Sequence, residues 1–245
     1  DGIKTDYLWK EILTKESLSN ILENYSQVVE KIDRKTNKVV GETMIFPRYH
    51  QLTVVRKLLA DTLRNEVGKR YLIQHSAGSG KSNSIAWLAY QLVKLEKSGK
   101  TFFDSIIVVT DRVNLDRQIR DTIRQFMQER SVVGWADDSS TLGSLLNAGK
   151  KIIITTIHKF PFILSSIGTE NKDKQFAIII DEAHSSQTGS LFAKMNMAVS
   201  GNVCDDEEEQ THRRASDGPK CQLLRIHRNT QKQDFGDVWR CDTTA

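Results

Sequence analysis

The chain has 245 residues, 38% of them hydrophobic, with a formal net charge of +4 and a pI near 8.9. That length fits one large domain or two small ones, and no run approaches the ~18 apolar residues of a membrane-spanning helix. The mild positive balance permits a nucleic-acid partner without requiring one. The chain begins with Asp1, shows no signal-peptide pattern, and is read as a cytoplasmic fragment of a longer protein. Its cysteines, Cys204, Cys221 and Cys241, all fall beyond position 200. An odd, late set of this kind is not a disulfide framework.

In chain order, Leu18, Ile21, Leu22, Tyr25, Val28, Val29 and Ile32 recur at helical spacing and predict a helix over 15–32. The turn-like "DRKTNK" follows. Pro47 suits a first helical position, and Leu52, Val55, Leu58, Leu59 and Leu63 carry the second helix. Four short apolar runs come next: "YLIQ", "SIIVVT", "KIIITT" and "FAIII". Each is rich in β-branched residues and continuous rather than alternating, as strands buried on both faces are. Helical stretches over 81–97, 115–128 and 157–167 separate them. This alternation predicts an α/β fold with a parallel sheet covered by helices on both sides. Ligands of such sheets bind beyond the carboxyl ends of the strands, so the residues there matter most.

The first strand ends in "QHSAGSGKS". A phosphate cradle needs several backbone N–H groups aimed at one point, which glycine permits. Ser76, Ala77, Gly78, Ser79 and Gly80 form that loop, Lys81 can reach the β- and γ-phosphates, and Ser82 can offer its hydroxyl to Mg²⁺. The following helix N-terminus adds favourable partial charge. His75 stands where the pattern Gly-x-x-x-x-Gly-Lys-Ser has its first glycine. The competing reading is a glycine turn with a chance Lys-Ser; the strand before and helix after favour the cradle. The fourth strand ends in "DEAH". Asp181 suits a Mg²⁺ ligand, and Glu182 suits the general base that takes a proton from the attacking water. Alone, these acids could be an exposed turn.

Other candidates are less specific. In "FPRYHQ", Gln51, with Arg48, can read adenine by paired hydrogen bonds; the alternative is a polar helix start. Arg112 sits at the end of the second strand, and Arg117, Arg120 and Arg124 share a helix face. These could meet a phosphate backbone, although a solvated face paired with Asp121 explains the helix arginines equally well. Thr155, Thr156 and Lys159 could touch a DNA strand through hydroxyls and charge, or form an ordinary loop.

These pieces in this order resemble superfamily 2 helicases and translocases. "FPRYHQ", "QHSAGSGKS", "VVTDR…LDRQI", "ITTIHKF" and "IIDEAHSSQ" are similar to the motor (R) subunit of type I restriction endonucleases, in which His is a familiar occupant of position 75. The resemblance spans 46–195. It implies a RecA-like domain that uses ATP and Mg²⁺ to translocate double-stranded DNA, together with specificity and methylation subunits as partners. It also implies that His184 relays the ATP state to the DNA side. Residues 1–42 then form a helical linker from an upstream nuclease domain, and 43–200 form the first motor domain. A second RecA-like lobe would supply an arginine finger. His158 departs from the Gln common in the family. The alternatives are another superfamily 2 DNA helicase, or an inactive truncated product that binds nucleotide without turnover.

Beyond position 201 no period is sustained, and an irregular, disordered tail over 201–245 is expected. Moved forward one nucleotide, synonymous codons for "KCQLLRIHRNTQKQDFGD" can spell "NASYFAFTATPKNKTLEM", which is similar to the family's next segment. A frameshift between about 201 and 218 would produce such a tail. A zinc site from Cys204, His212, Cys221, His227 and Cys241 matches no compact metal spacing.

Overall fold

The structure, a computed structural model, describes residues 3, 5–33, 36, 38–65, 69–76, 78–110, 119, 122–123, 132–136, 139–157, 174–181, 220–227 and 238–241. It divides into two units, Asp1–Leu52 and Thr53–Ala245.

The first unit opens with a π-helical turn over Leu8–Ile12 and helix α1 (Lys15–Asn24). Thr14 caps α1, its Oγ1 accepting from the Ser17 amide at 3.3 Å. Ile21 and Tyr25 are buried. The helix predicted over 15–32 therefore stops eight residues early. Val28 and Val29 lie instead in strand β1 (Gln27–Ile32), paired antiparallel with β2 (Val39–Ile45). The reason is that Val28, Val29 and Ile32 satisfy helical spacing but are β-branched, and such side chains suit a pleated surface. The turn sequence between the strands closes the hairpin. The Asp33 amide donates to the Lys38 carbonyl at 2.9 Å, and Asp33 Oδ1 accepts from the Thr36 amide at 3.4 Å. The segment expected as a helical linker is thus a helix followed by a hairpin.

Helix α2 (Tyr49–Asn65) begins two residues after Pro47, which was expected as its first residue. Gln51 sets the start: its Oε1 accepts from the Arg48 amide at 2.8 Å, half of a capping box. Leu52, Val55, Leu58 and Thr62 are buried at helical spacing. Leu63, expected in the same stripe, is exposed.

The second unit is built on a seven-stranded parallel sheet. In chain order its strands are β3 (Arg70–His75), β6 (Ser105–Thr110), β7 (Val133–Trp135), β8 (Ile152–Thr156), β9 (Gln175–Asp181), β10 (Lys220–His227) and β11 (Val238–Cys241). Helix α3 (Lys81–Val93) follows β3, and α4 (Ser139–Asn147) follows β7. The spatial order is β11-β3-β10-β9-β6-β8-β7. The four runs read as strands are β3, β6, β8 and β9. Every residue of β6 and β8 is buried, as is all of β9 after Gln175. The helix expected over 81–97 ends at Val93, because a tight hairpin follows: β4 (Glu96–Lys97) and β5 (Lys100–Thr101), turning at Ser98 and Gly99 with φ of 56° and 76°. The helices expected over 115–128 and 157–167 lie almost wholly outside the described residues.

Residues 220–227 and 238–241, within the tail expected to be irregular, are strands of this sheet. β10 lies between β3 and β9, with Ile226 level with both Ile73 and Asp181. The physical reason is the slot itself. Without a strand there, the inner edges of β3 and β9 would present unpaired amides and carbonyls in the middle of a buried sheet. Of the residues weighed as zinc ligands, Cys204 and His212 lie outside the described residues; among the described residues no group of three or more His, Cys, Asp or Glu could hold a metal ion. No described helix is long and apolar enough to cross a membrane.

At the start of β3 one carboxylate collects several donors. Asp61 accepts from the Tyr71 hydroxyl at 2.6 Å, from Asn65 Nδ2 at 2.6 Å and from Lys69 Nζ at 3.4 Å. The Tyr71 hydrogen bond, aided by Lys69 and Arg64 and opposed by burial, holds the Asp61 carboxyl below its ordinary value of 3.8. A depressed folded pKa stabilises above the unfolded pKa and is lost as pH falls through the folded value. Asp61→Asn is therefore expected to cost about 1.5–3 kcal/mol at neutral pH. In urea denaturation, the gap between the two proteins should shrink as pH drops below 3.8. A gap independent of pH would show that the charge contributes nothing.

Candidate functional site

The loop between β3 and α3 reverses the chain at two glycines. Gly78 and Gly80 have φ of 73° and 81°, the left-handed region that other residues rarely adopt. Between them Ser79 is buried, and its amide donates to the Ser76 carbonyl at 3.3 Å. Gly80 is the N-cap of α3, its carbonyl accepting from the Asn83 and Ser84 amides at 3.1 and 3.3 Å. The helix therefore starts at once, with Lys81 and Ser82 in its first turn. The first amides of a helix have no partner within it, and the helix dipole places positive partial charge there.

Lys81 reaches across the strand ends. Its Nζ lies 2.6 Å from Asp181 Oδ1, and the two side chains are 15% and 1% exposed. β10 separates β3 from β9, so the loop spans one strand to make this contact. The fit to a nucleotide's phosphates and Mg²⁺ rests on that donor set. There are two left-handed glycines, a thirteen-residue helix that starts at the loop with Ser82 in its first turn, and a cation in contact with a buried carboxylate.

The other strand ends form a polar row. Thr110 pairs with Thr156, and Val109 with Ile180, which sets Thr110 level with Asp181. Residues in register on neighbouring strands share a face. Asp181, Thr110 and Thr156 thus face one side of the sheet and Thr155 the other. The Thr110 hydroxyl donates to the Thr155 carbonyl at 3.4 Å. Thr155 and Thr156, expected to meet DNA through their hydroxyls, are both buried, and among the described residues Thr155 Oγ1 has no hydrogen-bond partner.

Arg48 and Gln51 lie in the first unit, at the start of α2. Gln51 is buried and its oxygen takes part in the helix cap, the polar-helix-start role that the sequence left open. Ala77, Arg112, Arg117, Arg120, Asp121, Arg124, Lys159, Glu182 and His184 lie outside the described residues.

His75 is the residue whose contact sequence reasoning missed. Its ring is buried, and Nδ1 lies 3.0 Å from Ser79 Oγ. The signal was a polar residue in the last position of a buried strand, with a hydroxyl four residues on.

Residues 50–204 match the family of SWI2/SNF2 ATPases. No curated protein sequence matches the chain. Among solved structures the chain is similar to the UvsW helicase from bacteriophage T4, with 14% identity, a TM-score of 0.47, and coverage of 88% of this chain and 61% of that one. It is also similar to the DEAD-box helicase Mss116 bound to single-stranded RNA and UDP-BeF, with 12% identity, a TM-score of 0.52, and coverage of 91% and 41%. At that identity the likeness to Mss116 is one of fold alone, a RecA-like α/β domain. The chain spans less than two thirds of either helicase.

Removing one partner of a buried ion pair strands the other. Lys81→Met, which keeps the aliphatic stem, is expected to lower unfolding free energy by about 3–5 kcal/mol in the absence of nucleotide. Urea denaturation measures this directly. An unchanged midpoint would mean that Asp181 is satisfied without Lys81.

Proposed function

From a chain that belongs to the SWI2/SNF2 ATPase family, we propose the ATP-binding first motor lobe of a type I restriction enzyme R subunit. In the complete enzyme, ATP hydrolysis would drive translocation of double-stranded DNA before cleavage. The observation that carries the ATP part is the Lys81–Asp181 contact at 2.6 Å beside a loop with two left-handed glycines. Support for the restriction part comes from the order and wording of the motifs between 46 and 195.

In this reading the amides of 76–82 and the Lys81 ammonium hold the β- and γ-phosphates. The Ser82 hydroxyl and the Asp181 carboxylate hold Mg²⁺. Bound Mg²⁺–ATP supplies the transferable γ-phosphoryl group and a metal that neutralises charge developing on it. Glu182 orients the attacking water and accepts its proton. Arg48 and Gln51 favour adenine, and His184 relays the nucleotide state. Arg112, Thr155, Thr156 and Lys159 meet DNA; for the two threonines this requires strand ends that open, since both are buried. Specificity and methylation subunits are the partners. Residues 1–42 link to a nuclease domain and 43–200 are the motor domain. Residues 201–245 arise from a shifted reading frame, two segments of which pair into the sheet.

The arginine finger belongs to a second lobe, so this chain alone is expected to bind Mg²⁺–ATP weakly and hydrolyse it slowly. Calorimetric titration of the whole chain should detect Mg²⁺–ATP, and Lys81→Ala should weaken it by roughly tenfold or more, the loss of a charge-assisted contact. Equal affinity in the variant would sink the cradle. A substantial DNA-stimulated ATPase rate from this chain would contradict the need for a second lobe.

A further inference from the structure

We propose that His75 is a positioning residue for the phosphate loop, acting through Ser79, and that this contact preorganises the loop for nucleotide. The inference rests on the nucleotide-binding reading and adds a residue to it. His75 closes β3, and its Nδ1 lies 3.0 Å from Ser79 Oγ, four residues along the chain. Both residues are only 2% exposed. The three residues they bracket include Gly78, with φ of 73°.

A loop with two glycines is costly to order, because glycine loses more backbone freedom than any other residue. If phosphate must order it, that cost is subtracted from affinity. The backbone contributes a closure from the Ser79 amide to the Ser76 carbonyl, at a long 3.3 Å. The His75–Ser79 contact adds to it, and it anchors the loop to a strand locked inside the sheet between β10 and β11. Ser79 is held at the midpoint between Gly78 and Gly80, so their amides keep their directions before ligand arrives. Glycine at position 75 could not make this contact. The imidazole therefore does more than tolerate the position: it replaces glycine's freedom with a tether.

The test is Mg²⁺–ATP affinity of the full chain, measured by calorimetry, for His75→Ala, Ser79→Ala, the double variant, His75→Asn and His75→Gln. The Asn side-chain amide overlies Nδ1, whereas that of Gln overlies Nε2. Thermal unfolding without ligand is recorded for each. The expected result is a loss of roughly three- to tenfold for either alanine variant, the scale of one hydrogen bond. The double variant should be no weaker than the worse single one. His75→Asn should stay within about twofold of wild type while His75→Gln resembles His75→Ala, as follows from which nitrogen is mimicked. Additive losses, or an asparagine variant as weak as alanine, would overturn the proposal. Ser79→Ala, which leaves the buried ring in place, keeps the test decisive if His75→Ala does not fold; unchanged affinity in it refutes the tether. A wild-type chain that binds no nucleotide removes the underlying functional reading, and the proposal with it. Wild-type binding that the variants leave unchanged removes the tether alone.

Discussion

A single buried ion pair ties the strand-end site together. Lys81 comes from the first turn of α3 and Asp181 from the last position of β9, and their charged atoms meet at 2.6 Å where water is largely excluded. Burying either charge alone would be expensive. Together they require that the loop fold back over the sheet, that β9 run the full length of its neighbours, and that α3 start without delay. Each requirement is met by backbone: two left-handed glycines, a parallel ladder, and a helix whose N-cap is itself one of those glycines.

The same arrangement explains why chemistry collects at this edge. In a parallel sheet every strand delivers its last residue to the same side. Here that side holds the phosphate loop, Asp181, Thr110 and Thr156, with the helix N-terminus pointing at them. The opposite edge carries a structural cluster instead: Asp61 gathering Tyr71, Asn65 and Lys69, which ties α2 to the beginning of β3. One end of β3 is fixed by a carboxylate and the other by the His75–Ser79 contact, so the loop is mounted on a strand with little freedom at either end.

Much of this was legible in the sequence because the signals were strong and local. "SIIVVT", "KIIITT" and "FAIII" are continuous β-branched runs, and they are buried strands. Glycine at 78 and 80 announced the turn, and the positive φ values are the reason. The failures have particular causes. Val28, Val29 and Ile32 fit a helical stripe and a hairpin equally, and pairing with β2 decided between them. The strand at 220–227 carries lysine, glutamine and arginine among its apolar residues, so its place between β3 and β9 comes from the vacancy in the sheet rather than from its own pattern. The 2.8 Å contact between the Arg48 amide and Gln51 Oε1 could not be read from "FPRYHQ" itself, because adenine reading and a helix start call on the same side chain.

The central claim is that the ends of β3 and β9 form one Mg²⁺–ATP site. Hydrogen–deuterium exchange of the whole chain, with and without Mg²⁺–ATP, tests it most directly because it locates the ligand without presuming turnover. The account predicts slowed exchange of amides over 76–84 and at the end of β9, with the start of β3 unchanged. Protection confined to other segments, or none at saturating nucleotide, would contradict it.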